Sequence, residues 1–126
     1  MEMASVFAKT SEAKRLQVGA LIVKENNIIS LGVNGTPRGY PTNVCETLEG
    51  VTAPYVLHAE INALNKLRQS PNTSTNACIF ITHAPCLNCA INILDAGITK
   101  VFYKEIYRES DGIEYLLNNK IPVIHM

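Results

Sequence analysis

Three metal-ligand side chains and one carboxylate fall in two short segments of this chain, His58-Ala59-Glu60 and Pro85-Cys86-Leu87-Asn88-Cys89. Zn²⁺ favours imidazole nitrogen and thiolate sulfur in a tetrahedral shell, so a fold that uses these residues together must bring both segments to one point. That requirement restricts local structure. An i, i+2 pair in mid-helix points about 200° apart at 3.6 residues per turn, so His58 and Glu60 share a site only near a helix end. Cys86 and Cys89 stand three apart, a spacing at which both side chains converge on one helical face, and a helix N-terminus favours thiolates there. Structural zinc sites usually close the shell with a fourth Cys or His, and His58, Cys86 and Cys89 have none beside them, which leaves a position for water. Zinc lowers the pKa of bound water to about 7, and Glu60 is then the group suited to move its proton without itself binding the metal.

The surrounding pattern supplies two such helix starts. Ile61, Leu64 and Leu67 share a face over residues 58–68, which predicts a helix ended by Ser70-Pro71-Asn72. Pro85 suits a first helical turn, so a second helix is predicted over 86–96, stopping at Gly97, with a buried strand over 77–82 between the two. Upstream, residues 17–24 and 28–33 are rich in Val, Ile and Leu around Glu25-Asn26-Asn27 and read as a hairpin. Met3, Val6, Phe7 and Ala13 predict a short amphipathic helix in residues 3–13, and residues 34–41 open a loop that runs to about residue 55. Downstream, a strand over 100–103, a helix from Ser110 or Asp111 through Leu117 and a strand over 121–124 complete the chain. A helix joining the last two strands makes them parallel. The expected fold class is α/β, with a mixed five-stranded sheet, helices on both faces and residues 1–126 as one domain.

Charge and cysteine usage narrow the partners. Eleven Lys and Arg balance eleven Asp and Glu, so there is no bulk positive field for a nucleic acid, and a small substrate is expected. No apolar run approaches the roughly 18 residues of a spanning helix, and the N-terminal residues lack a leader pattern, so a cytoplasmic protein without membrane contact is expected. Cys78 lies in an apolar run and reads as a buried core thiol, whereas Cys45 sits in a polar loop without an identified partner.

Beyond the four site residues, the segments Gln17-Val18-Gly19-Ala20-Leu21-Ile22-Val23, Asn34-Gly35-Thr36-Pro37-Arg38-Gly39, His58-Ala59-Glu60-Ile61-Asn62-Ala63-Leu64, Thr82-His83-Ala84-Pro85-Cys86-Leu87-Asn88-Cys89-Ala90 and Ala96-Gly97-Ile98 resemble deoxycytidylate (dCMP) deaminases, most closely the compact phage and bacterial forms. The resemblance implies the three-layer cytidine deaminase-like fold and hydrolysis of dCMP to dUMP and ammonia, feeding thymidylate synthesis. It agrees with a catalytic Zn²⁺ on His58, Cys86 and Cys89 and with Glu60 as proton shuttle, and one zinc per chain is expected because Cys45 lacks the partners a second, structural ion would need. Asn34 is expected to bond the sugar, the Ala59 backbone to meet the pyrimidine, and Tyr103 and Tyr107 to lie beside the nucleotide. Arg15, Lys14 and Arg38 are the candidates for the 5′-phosphate, and His83 is a candidate pocket-wall residue.

The resemblance further implies a homo-oligomer, with a hexamer favoured, and dCTP and dTTP as candidate effectors. This chain departs from many relatives in having Ala13 at a position they give to cysteine, and Cys45 has no companion histidine for a second, structural zinc. Alternatives within the superfamily act on free nucleosides, guanine or tRNA adenosine. Cytidine deaminases of the small tetrameric type place Cys where this chain has His58, and the guanine and tRNA enzymes usually place Glu where it has Ala84. A non-catalytic zinc scaffold is the remaining alternative, and Glu60 argues against it.

Overall fold

Val, Ile and Leu concentrated in residues 19–33 give an antiparallel hairpin of β1 (Gly19–Lys24) and β2 (Asn27–Val33). Glu25 and Asn26 between them take positive φ of 51° and 65°, the two-residue turn whose twist matches that of the flanking strands. The computed structural model describes residues 1–106 and 109–126. Its other elements are α1 (Glu2–Ala8), α2 (Ala59–Arg68), β3 (Cys78–His83), α3 (Leu87–Asp95), β4 (Lys100–Glu105), α4 (Asp111–Asn118) and β5 (Val123–His125). One sheet forms in the order β2-β1-β3-β4-β5, with β1 antiparallel to both its neighbours and β3, β4 and β5 mutually parallel. This is the mixed sheet with parallel final strands that the alternation of helix and strand predicted.

Residue alternation assigns the faces. Ala20, Ile22, Ile79, Ile81 and Val101 join Ala63, Leu64 and Leu67 of α2, Ala90 and Ile93 of α3 and Leu116 of α4 in one core. Gly19, one residue from Ala20 and facing the other way, lies against Ala4 and Ala8 of α1. Helices therefore cover both faces, three on one and the short α1 on the other. No helix among the described residues is long and apolar enough to cross a membrane.

Two expectations change. The first helix ends at Ala8, and it buries Ala4 and Ala8 while Met3 and Val6 stay 54% and 64% exposed. Small side chains let α1 approach the strand at Gly19, so the large apolar residues are turned outward. Ala13 is buried, but in a separate small core with Cys45, Ala53 and Val56. Cys78 is half-buried instead of deep in the core, because it alternates with the fully buried Ala77 and Ile79 and so faces the α1 side of the sheet beside Phe80.

The position of α2 depends on Gly32. A Cβ built there would lie 2.5 Å from both Ala59 O and Ala63 N, so β2 touches the helix backbone directly. Gly32→Ala should push the helix off the sheet and cost about 1–3 kcal/mol of stability. A fall in the thermal midpoint is the expected result, and an unchanged midpoint would show that α2 can shift freely.

Candidate active site

Both motifs sit at helix starts. His58 is the N-cap of α2, with extended backbone (φ −72°, ψ 156°), and Glu60 lies in the first turn, so this i, i+2 pair straddles the helix boundary as the 3.6-residue period requires. Cys86 is the N-cap of α3 (φ −72°, ψ 169°), and its Sγ accepts a hydrogen bond from the Cys89 N–H at 3.5 Å. The helix thus begins one residue later than predicted, and Pro85 precedes the cap instead of occupying the first turn. The shift has a consequence: the Cys86 sulfur lies at the electropositive end of α3. Behind it, Gly112 of α4 lies so close to the Pro85 and Cys86 carbonyl oxygens that no side chain fits between.

His58 Nδ1 lies 3.3 Å from Cys89 Sγ and 3.6 Å from Cys86 Sγ, and the three ligand atoms fall within 4.8 Å of one another. Tetrahedral zinc with ordinary Zn–N and Zn–S bonds sets N···S separations of about 3.5 Å. The trio therefore matches the shell of one zinc ion, and its donor set is the one zinc prefers.

Electrostatics divides the roles of the neighbouring groups. A hydrogen bond from the Cys89 thiol, aided by His58 and the Cys89 N–H, brings the Cys86 pKa down to about 4. The same bond and burial push the Cys89 thiol up. His58 is raised, chiefly by its contact with Cys86. Glu60 is 4% exposed, and burial pushes its carboxyl up to about 7, against smaller lowering effects from its own backbone N–H and from His58. A carboxyl with that pKa can both take and return a proton near neutrality.

A cavity of about 380 Å³ opens onto these residues. His58, Ala59, Glu60 and Cys86 form one end, and Arg15, Asn34 and Thr52 form part of its wall. It lies where the C-terminal end of β3 meets the start of β1, close to the point at which chain direction in the sheet reverses, a usual place for ligands in open α/β sheets. The Asn34 amide is nearly saturated. Its Oδ1 accepts from Val18 N at 2.9 Å and Ser11 Oγ at 2.8 Å, and its Nδ2 donates to Leu16 O at 2.6 Å, which leaves one N–H for a ligand. Ala59 opens α2, where backbone N–H groups lack intrahelical acceptors.

A model of the zinc-binding region of cytidine and deoxycytidylate deaminases matches residues 1–105. The chain belongs to this family. The crystal structure of dCMP deaminase from cyanophage S-TIM5, in complex with dCMP and dUMP, is similar at TM-score 0.97 and 43% identity, over 99% of this chain and 92% of that one. Deoxycytidylate deaminases of Schizosaccharomyces pombe and Homo sapiens are each 36% identical, over 128 and 120 residues, covering 93% and 88% of this chain. The chain spans 39% of the length of the first and 66% of the second.

Not every candidate from the sequence reaches the cavity. Tyr103 stacks on His125 with ring centroids 4.8 Å apart, because β4 and β5 pair these two residues in register, so it packs the sheet and does not line the pocket. Arg38 is exposed and outside the lining, carried away where the chain turns back with Tyr40 N bonded to Pro37 O. Lys14 is also outside the lining, although its backbone N–H is bound to Glu46. Tyr107 lies outside the described residues. His83 does line the cavity, with Nδ1 3.2 Å from Thr82 Oγ1, and burial lowers its pKa. Thr52, Val56 and Ile106 are lining residues that no motif or period marked.

His58→Ala removes the nitrogen ligand of the trio and should deplete the metal. Zinc-to-protein ratios of the purified variant and the parent check this, and a fully loaded variant would exclude His58 as a ligand.

Proposed function

We propose that residues 1–126 act as one deaminase domain that hydrolyses dCMP to dUMP and ammonia. The observation that carries the reading is the buried Glu60 carboxyl lining one cavity with His58 and Cys86, whose metal-ligand atoms meet that of Cys89 behind them. Similarity at 43% identity to a phage dCMP deaminase solved with dCMP and dUMP supports the choice of substrate.

His58 Nδ1 and the two thiolates would hold the zinc ion, which supplies Lewis acidity that makes water acidic enough to lose a proton near pH 7. Glu60 takes that proton and delivers it to the ring nitrogen beside the amino-bearing carbon as the water oxygen bonds to that carbon. The proton of the newly bound hydroxyl passes through Glu60 to the amino group, the carbonyl forms as the carbon–nitrogen bond breaks, and ammonia leaves. The Ala59 N–H orients the pyrimidine, the free Nδ2 proton of Asn34 meets the sugar, and Arg15 receives the 5′-phosphate. An arginine fork suits that task. Assembly into a homo-oligomer, with a hexamer favoured, a cytoplasmic setting and control by dCTP or dTTP are carried by the family resemblance.

Two measurements test this. Glu60→Gln should retain zinc while turnover falls by about 10²–10⁴-fold, and near-normal turnover would remove Glu60 from proton transfer. Ammonia release should be far more efficient from dCMP than from deoxycytidine, with Arg15→Ala erasing most of the difference. Equal kcat/KM for the two substrates in the parent protein would sink the phosphate-specific reading.

A further inference from the structure

Arg15 lies on a stretch between α1 and β1 that has neither helix nor strand, yet it borders the cavity. One carboxylate binds the main chain at this residue directly. The consecutive backbone N–H groups of Lys14 and Arg15 both donate to Glu46 Oε2, at 2.9 and 3.1 Å. Two successive amides on one anionic oxygen make charge-assisted bonds, stronger than neutral ones, and they fix the direction of the main chain at Arg15.

Glu46 is itself held. It pairs with Thr52 in an isolated antiparallel bridge, flanked by hydrogen bonds from Ala53 N to Cys45 O and from Thr47 N to Val51 O, both at 2.7 Å. Beneath this turn, Cys45 and Ala53 pack with Ala13 and Val56 in the small second core. Thr52, opposite Glu46, lines the cavity, and its Oγ1 lies 3.5 Å from Arg15 Nη1. The main chain and the guanidinium of Arg15 are therefore both referenced to one turn. A carboxylate near an anion-binding residue would ordinarily repel the ligand, and here the oxygen facing the loop is engaged by two backbone donors.

We propose that Glu46 is a positioning residue that sets the preference of this site for a 5′-phosphorylated substrate, by orienting Arg15 against Thr52. The inference rests on the reading of Arg15 as the phosphate ligand. It separates two functions within one pocket: the zinc trio and Glu60 act on the base, and Glu46 governs only the far end.

The test measures kcat/KM for dCMP and for deoxycytidine in the zinc-loaded parent, Glu46→Ala and Glu46→Gln, with zinc content and thermal midpoint as controls. Glu46→Ala should lower the dCMP-to-deoxycytidine ratio by about tenfold to a hundredfold, mainly through KM for dCMP. Glu46→Gln keeps a carbonyl oxygen at the same reach and should hold the ratio within about threefold of the parent. A Glu46→Ala ratio equal to the parent's, or equal losses on both substrates, would overturn the proposal. Should Glu46→Ala not fold, Glu46→Asp, which keeps the charge but falls a methylene short, replaces it with the same expected and overturning results. Absence of any dCMP preference in the parent would remove the Arg15 reading and this inference with it, whereas a parental preference that survives Glu46→Ala removes only the role of Glu46.

Discussion

Two helix N-termini aimed at one point are the constraint on which this structure depends. Each start holds groups that would be costly to bury elsewhere: a carboxylic acid that is 4% exposed in α2, and two sulfurs at the cap and first turn of α3. Unpaired backbone N–H groups at both ends offset the negative charge, and a cation in the shell would offset the remainder. The sheet serves this geometry. β3 runs directly into the Cys86 cap, β1 lies antiparallel beside it, and direct backbone contact at Gly32 brings α2 into register with both.

The cavity combines two kinds of wall. Its chemical end is built on regular elements, where packing around Ala59, Ala63, Ala90 and Ile93 restricts movement. The other end is built on loops, and side chains bonded to backbone hold it together: Asn34 to residues 16 and 18, Ser11 to Asn34 and Gln17 to Ser11. Such bonds are directional and few, so the loop wall can vary in sequence without disturbing the metal ligands. A small apolar core around Cys45 and Ala13 supports it, built from hydrocarbon and one thiol.

The regular part was legible in the sequence because its signals are periodic or chemically specific. Clustered Val, Ile and Leu marked the hairpin, and the two ligand motifs required helix starts that the apolar spacing supplied. Faces and ends were less legible. Nothing in the residue types told Ala4 from Val6 as the inward side of α1, or the cap position of Cys86 from the first turn, because both depend on how closely neighbouring backbones approach. The loop wall was hardest to read. Thr52, Val56 and Glu46 reach their positions through a bridge and a small core in a segment without period, whereas Tyr103 and Arg38 had plausible chemistry but were drawn to a sheet partner and to solvent.

The contact of Gly112 with the Pro85 and Cys86 carbonyls carries a consequence for the order of events in biosynthesis. Every residue of the metal trio has left the ribosome by the time Cys89 emerges, yet the backbone that aims Cys86 is still missing its outer support. That support arrives only with α4, which follows the trio in the chain. A nascent chain therefore holds all the ligands before it holds their final geometry, and the mature shell for the ion waits for α4 to dock.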